Sequence, residues 1–439
     1  MPERRRRVGV VGGGVAGVAT AFLLDEACDC VLFEATPRIG GHAHSVTVDV
    51  RGEPHVADLG AQFYGPLLHP WFTAFLAHLG VYAPAAPDSG GSITRAMGTT
   101  LMGDRTSSPR FVSPLFWSRA WPVWAPSNGA GQLAFLALAL AARRFERDGD
   151  WSVPLHDWLR TAPGLSAYGR ERVVLPWLAA LVGCSIEAAS TFSARAALSV
   201  PGRAIPANLV APFRWSTARL GLQGVVEALI DRCTHLTVRR GAPVEALVRT
   251  ASGWRIHGPG GPPVEVDDVV VAVPPYAAAP LVAGLPGGAA LAQVLRGFPY
   301  FRTRMVLHTD PVYMHQDRRM WSAYNAIEAD GWCEGSAWYG AIRDPHADGG
   351  TVDLFKSWAT GRAEQPREVL AEADYQHPLL TPAFLAAQRQ VAARQGEDGL
   401  WFAGSWTRDV DLQETALRSA FDVVVGMGIR PRWAGPGGE

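Results

Sequence analysis

The stretch Val8–Glu34, VGVVGGGVAGVATAFLLDEACDCVLFE, decides the fold. Val8–Val11 is a short β-branched run and reads as a buried parallel strand. Glycines follow at Gly12, Gly14 and Gly17, then an Ala-, Val- and Leu-rich helical pattern to about Leu24. A second strand, Cys30–Phe33, closes on Glu34. The glycines meet three different needs. Gly12 allows the tight turn, Gly14 lets the backbone approach a pyrophosphate, and Gly17 lets the helix pack on the strand. The helix N-terminus offers free N–H groups and a partial positive charge to those phosphates. Glu34, 22 residues after Gly12, stands where a carboxylate accepts hydrogen bonds from ribose hydroxyls. Strand, glycines, helix, strand and acid in this order predict a dinucleotide site.

The same residues have one competing reading. Arg4–Arg7 followed by 17 mostly apolar residues resembles a secretory signal. Five glycines within Val8–Leu24, the acids Asp25 and Glu26, and the lack of a small-residue cleavage site argue against it. A cytoplasmic chain without a transmembrane segment is therefore expected, with Arg4–Arg7 as a solvated tail. The net charge of −1 over 439 residues excludes nucleic acid and anionic membranes as main partners. The five cysteines, Cys28, Cys30, Cys184, Cys233 and Cys333, form neither a metal pattern nor a disulfide framework, and no metal is expected. Sixteen tryptophans imply aromatic surface that lines something. Among 40 basic residues only Lys356 is lysine, so any chemistry that needs a lysine has one candidate.

Beyond Glu34 comes Ala35-Thr36-Pro37-Arg38-Ile39-Gly40-Gly41-His42. An arginine four residues past the ribose acid, then paired glycines, puts a guanidinium and two permissive backbone positions near the same phosphates, which favours FAD over NAD. With Asp58-Leu59-Gly60-Ala61-Gln62, this pattern resembles the FAD-dependent amine oxidase and phytoene desaturase superfamily, and within it a bacterial subgroup of predicted FAD-binding proteins that carries His42 where others have arginine. The resemblance implies an α/β fold, with a Rossmann-like FAD-binding domain assembled from residues 1–65, 213–290 and 396–439. An α+β substrate domain is implied over 66–212, its helical part, and 291–395, its sheet part. It implies non-covalent FAD held by Gly12, Gly14, Val15, Ala16, Gly17, Glu34, Ala35, Arg38, Gly40, Gly41, His42, Gly60, Ala61 and Gln62. Val244 would hold the adenine through its backbone. Gly404, Ser405, Glu414, Thr415 and Ala416 would close the site, with the helix from Glu414 directing its N-terminal dipole at the flavin. Ser405 stands where the superfamily has an acid, and Gly221-Leu-Gln-Gly224 replaces the usual double glycine.

Between these pieces, helical spacing predicts helices over His69–Val81, Gln132–Arg147, Val153–Thr161, Arg170–Cys184, Ile186–Leu198, Val225–Ile230 and Pro382–Gln395. Strands are expected at Leu236–Val238, Val244–Val248, Trp254–His257, Val269–Val273, Gly297–Asp310, Thr351–Trp358 and Leu400–Gly404. Pro84–Asn128, with Phe111, Phe116, Trp117, Trp121 and Trp124, reads as irregular structure or a lid. Four residues stand out for chemistry. Trp406 is the candidate aromatic wall beside the flavin. Gln62 and Tyr64 follow the Asp58–Ala61 segment and are candidates to face the substrate. Lys356 is either a base near flavin N5, as the resemblance implies, or a solvent-facing strand lysine. His308 and Asp310 form a further acid/base candidate. The function expected is oxidation of an amine or an apolar C–C bond, with O₂ as one acceptor and a place in secondary metabolism. The alternative is a redox-neutral isomerase or cyclase that returns the hydride.

Overall fold

The computed structural model describes residues 4–86, 88, 90–113, 125–205, 213–259 and 261–437. Its first sheet has five parallel strands in the order Leu400–Phe402, Asp268–Val271, Arg6–Val11, Cys28–Phe33 and Leu236–Arg239. Three well-separated pieces of chain thus share one sheet. Side chains alternate along each strand, so Val10, Leu32 and Val270 face one core while Val11, Phe33 and Val271 face another. On the first face lie the helices Val15–Leu24 and Gln413–Gly426, packed against each other. The second face is covered by a three-stranded antiparallel sheet, Ala246–Thr250, Gly253–His257 and Val264–Val266. Both faces are covered, which is why these strands read as near-continuous apolar runs.

A seven-stranded sheet forms the second lobe, in the order Val369–Pro378, Tyr300–His308, Phe355–Trp358, Trp332–Trp338, Tyr324–Ala329, Thr99–Met102 and Phe111–Ser113. A ribbon of Ser45–Val50 and Glu53–Asp58 packs on the large sheet, its Val48, Val50 and Ala57 sharing a core with Met305 and Leu307. A helical lobe covers the large sheet, with Leu178, Ala179, Val173 and Trp177 in its core. The helix Pro126–Asp148 buries Ala134, Leu138, Ala139 and Ala142 on one side only. Among the described residues no helix is long and apolar enough to cross a membrane.

The structure departs from the sequence expectations at several places. Pro84–Asn128 contains the strands Ser92–Ala96, Thr99–Met102 and Phe111–Ser113, and its last residues begin the helix Pro126–Asp148. Thr99–Met102 pairs with the nearby Phe111–Ser113 on one edge and, in parallel, with Tyr324–Ala329 on the other, more than 200 positions away, so what fixes it in the large sheet leaves little local signal. Phe111 is buried and stacked on Phe135; Phe116, Trp117, Trp121 and Trp124, expected in a lid, lie outside the described residues. Ile186–Leu198 is broken into Ile186–Ser190 and Ala194–Ala197. Arg4–Arg7 is no solvated tail: Arg6 and Arg7 open the first strand, Arg4 pairs with Asp267, and Arg6 grips the buried Asp268 through Nε and Nη2 at 2.6 and 2.7 Å.

Candidate active site

The glycine turn after the first strand is built as its spacing predicts. Gly12 has φ +111°, and a Cβ there would meet the carbonyl of Ala272 at 2.6 Å. At Gly17 a Cβ would lie 1.9 Å from the carbonyl oxygen of Gly12, so only glycine lets the helix approach. Gly14 is different: it precedes the helix Val15–Leu24, no side chain caps it, and a Cβ there would meet nothing within 4 Å. As in the first turn of any α-helix, the amides of Val15 and Ala16 have no acceptor within the helix. Glu34 accepts from the Gly13 amide through Oε2 and from Thr36 through Oε1, each at 2.8 Å, which aims the carboxylate at the same opening. Oε1 is already shared by the Thr36 amide and hydroxyl, whereas Oε2 keeps a second lone pair for a further donor. The paired glycines join this cradle, since the Gly40 amide donates to Gly13 O at 2.8 Å. The Arg38 guanidinium donates to the carbonyls of Gly41 and Ala43 and so braces the paired-glycine turn. Ala35 is exposed beside Glu34, and Val244 lies in the loop before the strand Ala246–Thr250, not within a strand.

The chain then delivers Gly60 and Ala61 against this turn. Ala61 N donates to His42 O at 2.8 Å, and a Cβ on Gly60 would sit 1.9 Å from that same oxygen. Above this segment the register of the large sheet assembles one reactive face. In an antiparallel pair, directly opposed residues point the same way. Leu307 opposes Lys356, Met305 opposes Trp358, Thr303 opposes Tyr375 and Phe301 opposes His377, so Lys356, Trp358, Tyr375 and His377 share a face. His377 packs on His42, ring centroids 5.2 Å apart, and against Trp358 at 5.5 Å. Tyr375 bonds His44 Nδ1 at 3.0 Å.

Lys356 is buried, so it is not a solvent-facing strand lysine; Nζ donates to Gly60 O and, at 3.4 Å, to Gln62 Oε1. Burial pulls its ammonium down to about 8, partly opposed by the attraction of Asp58. Asp58 is itself fully buried and its pKa is raised by that burial; it accepts from Ser45 Oγ and from the Leu222 amide. Leu222 lies in the first turn of the helix Gly221–Ile230, so the altered Gly221–Gly224 segment here caps its helix on Asp58 and Ser45. Burial also depresses the imidazoles, His377 to about 3 and His44 to about 4, leaving the face with neutral rings around one tunable amine.

Other predicted residues lie elsewhere. Tyr64 is fully buried, bonded to Ser92 Oγ at 2.6 Å and packed on Phe72 and Tyr82, so it is a core residue and does not face a substrate. Gln62 stays in the site, joined to Tyr339 Oη and Lys356. Trp406 turns inward below Gly404: its Nε1 donates to Val273 O at 3.0 Å and its ring packs edge-on to Phe298 and Phe402. Glu414 points away from the helix N-terminus to accept from the amides of Trp71 and Phe72, capping another helix. Thr415 is turned back on Leu412 and Val410, while Ala416 is buried in the helix. His308 and Asp310 form no side-chain ion pair: His308 bonds Ser357 Oγ at 2.8 Å and burial pulls its imidazole down to about 4, opposed by Asp310, while Asp310 accepts from Arg367 N. Sequence reasoning missed Asp411. Its Oδ1 accepts from Ser405 Oγ and its Oδ2 lies 4.0 Å from His377 Nδ1. Asp411 also lines an apolar cavity of about 80 Å³ with Leu155, Leu178, Phe192, Leu380 and Leu412. The only hint in the sequence is an acid shortly after the serine that replaces one.

A parallel sheet with an open glycine turn and ribose acid, joined to a second lobe that brings a buried amine beside that turn, defines a dinucleotide-dependent enzyme of two-lobed α/β architecture. The profile of the family described as flavin containing amine oxidoreductase matches residues 15–330, and the chain belongs to that family. It is accordingly an FAD-dependent oxidoreductase. Among solved structures it is similar to cyclohexylamine oxidase from Brevibacterium oxydans IH-35A, with 15% identity, TM-score 0.65, and 97% of this chain and 100% of that one covered. A putrescine oxidase bound to putrescine gives 16% identity, TM-score 0.65 and coverage of 97% and 99%. The fatty acid isomerase from P. acnes, described as CLA-producing, gives 13% identity, TM-score 0.66 and coverage of 98% and 100%. No curated protein matches the chain. The residues present fit FAD: the space a Cβ of Gly14 would enter is empty, the helix N-terminus behind it is uncapped, and Glu34 borders the same opening.

Proposed function

We propose that this protein oxidises a small amine with an apolar substituent. FAD would be held by the turn Gly12–Gly17, Glu34, Gly40–His42, Gly60–Gln62 and the N-terminus of the helix Gln413–Gly426. When bound, FAD accepts a hydride at N5. The observation that carries the reading is Asp411, among the described residues the one charged group lining an otherwise almost wholly apolar cavity. Its Oδ2 faces a neutral imidazole, so an ammonium group gains a charge-assisted hydrogen bond there while the leucines take up the substituent. An aliphatic ammonium must lose a proton before its α C–H can leave with an electron pair. Lys356, held near 8, has a neutral fraction at working pH and can take that proton at Nζ. Gln62 and the Gly60 carbonyl fix the direction of Nζ.

The apolar lining also suits a lipid-like chain, which supports a second reading: redox-neutral isomerisation of a C=C bond. Anaerobic mixing with amines and with unsaturated fatty acids, while the oxidised flavin band is followed, separates the two. Lasting bleaching by an amine supports oxidation; turnover of a fatty acid without bleaching or oxygen use refutes it. Asp411→Asn should raise KM for the amine by about tenfold or more, the loss of one charge-assisted contact.

A further inference from the structure

We propose a zinc-type metal site at Glu53, His55 and His346, on the far end of the ribbon from Gly60. Glu53 and His55 are two residues apart on one strand, so both project from the same face. Their cross-strand partners, Val50 and Val48, are buried, which turns that face inward. His346 comes from the loop after Tyr339, 3% exposed, with its main chain fixed by hydrogen bonds to Gly350 O and from the Gly349 amide, each at 2.8 Å. One donor atom from each of the three residues lies within 4.8 Å of the others. His346 Nδ1 is 3.2 Å from Glu53 Oε2, and the two imidazoles meet edge to face at 4.9 Å.

The independent observation concerns the other nitrogens. Nε2 of His55 and Nε2 of His346 are both buried, and neither has a hydrogen-bond partner among the described residues. Unsatisfied nitrogens on two buried imidazoles that meet edge to face are unfavourable, and a metal ion is a partner that lone pairs from both rings can share. Two imidazoles and one carboxylate suit Zn²⁺ and its first-row neighbours, whereas Ca²⁺ and Mg²⁺ prefer all-oxygen sets. Ligands at about 2.1 Å in a tetrahedron sit about 3.4 Å apart, so side-chain rotations that close the cluster by roughly 1 Å complete it. The charged groups around His55 are Glu53 and Asp49 against Arg343, whose Nε and Nη2 are also unpartnered among the described residues. The acids outnumber the guanidinium, so a divalent cation is accommodated. The ion would pin the loop that carries Tyr339, which bonds Gln62, to the ribbon that ends in Asp58. Its role is structural, remote from the reacting atoms.

The test uses tag-free, FAD-loaded protein dialysed against a chelator, then titrated with Zn²⁺ in competition with a chromophoric chelator. About one equivalent should bind with a dissociation constant in the low-micromolar range or below, and Zn²⁺ should raise the melting midpoint. His55→Ala and His346→Ala should each weaken binding at least about tenfold and abolish the midpoint shift. Exposed His156, mutated to alanine, should leave both unchanged. If His346→Ala does not fold, His55→Ala and Glu53→Gln decide. Absence of stoichiometric binding, or binding unchanged in His55→Ala, overturns the proposal.

Discussion

Lys356→Met should make the protein more stable and less active. Folding lowers the ammonium from 10.5 to about 8, and that fall costs about 3 kcal/mol of folding free energy at any pH well below 8. Methionine has nearly the same length and carries no charge to desolvate. Against this gain stands the carbonyl of Gly60, which loses its donor, at about 1–2 kcal/mol. The net expectation is a gain of about 1–2 kcal/mol at pH 7. With an unfolding entropy of about 2.1 cal/mol/K per residue, 439 residues give ~0.9 kcal/mol/K, so the midpoint should rise by about 1–2 °C. The pH dependence makes the test sharp. Between about 8 and 10.5 the unfolded chain binds more protons at this lysine than the folded one, so wild-type stability rises with pH there. The advantage of methionine should therefore be full below pH 8, shrink above it, and be gone by pH 10.5. Melting both proteins, followed by flavin fluorescence at pH 7 and pH 10, measures the difference directly. A variant that is less stable at pH 7, or whose advantage is the same at both pH values, refutes the reasoning. In the wild type, kcat/KM for an amine should climb with pH through about 8, and the variant should lose that limb.

Gly60→Ala should yield folded protein that no longer retains FAD, read from the flavin absorbance per protein, because its Cβ cannot stand 1.9 Å from the His42 carbonyl without moving the segment. Glu414→Ala should keep its flavin spectrum but lower the melting midpoint by about 1–3 °C, since it uncaps Trp71 and Phe72 at roughly 1–3 kcal/mol; a lost flavin would instead return Glu414 to the cofactor. Trp406→Phe removes one hydrogen bond to Val273 O, so about 1 kcal/mol of stability should go while the flavin absorbance maximum stays in place.

The cofactor half of the site was legible because its signals are local. A turn that needs positive φ at Gly12, a helix that needs no Cβ at Gly17 and an acid at the end of the next strand all fall within Val8–Glu34, and the turn at Gly40–Gly41 follows six residues later. The short strand Thr99–Met102 was not legible, because the pairing that sets it into the large sheet, with Tyr324–Ala329, lies far along the chain and its near partner Phe111–Ser113 is only three residues long. Glu414 and Trp406 misled for a related reason: their positions were right, and only the tertiary packing turned one toward Trp71 and the other toward Val273.

By itself, then, the sequence determined a dinucleotide cradle, its preference for FAD and a single lysine available for chemistry. The tertiary structure decided what that lysine is. Register across three strands buries Lys356 beside Gly60, and removal from water, which no sequence pattern records, moves its ammonium into the range where it can exchange a proton.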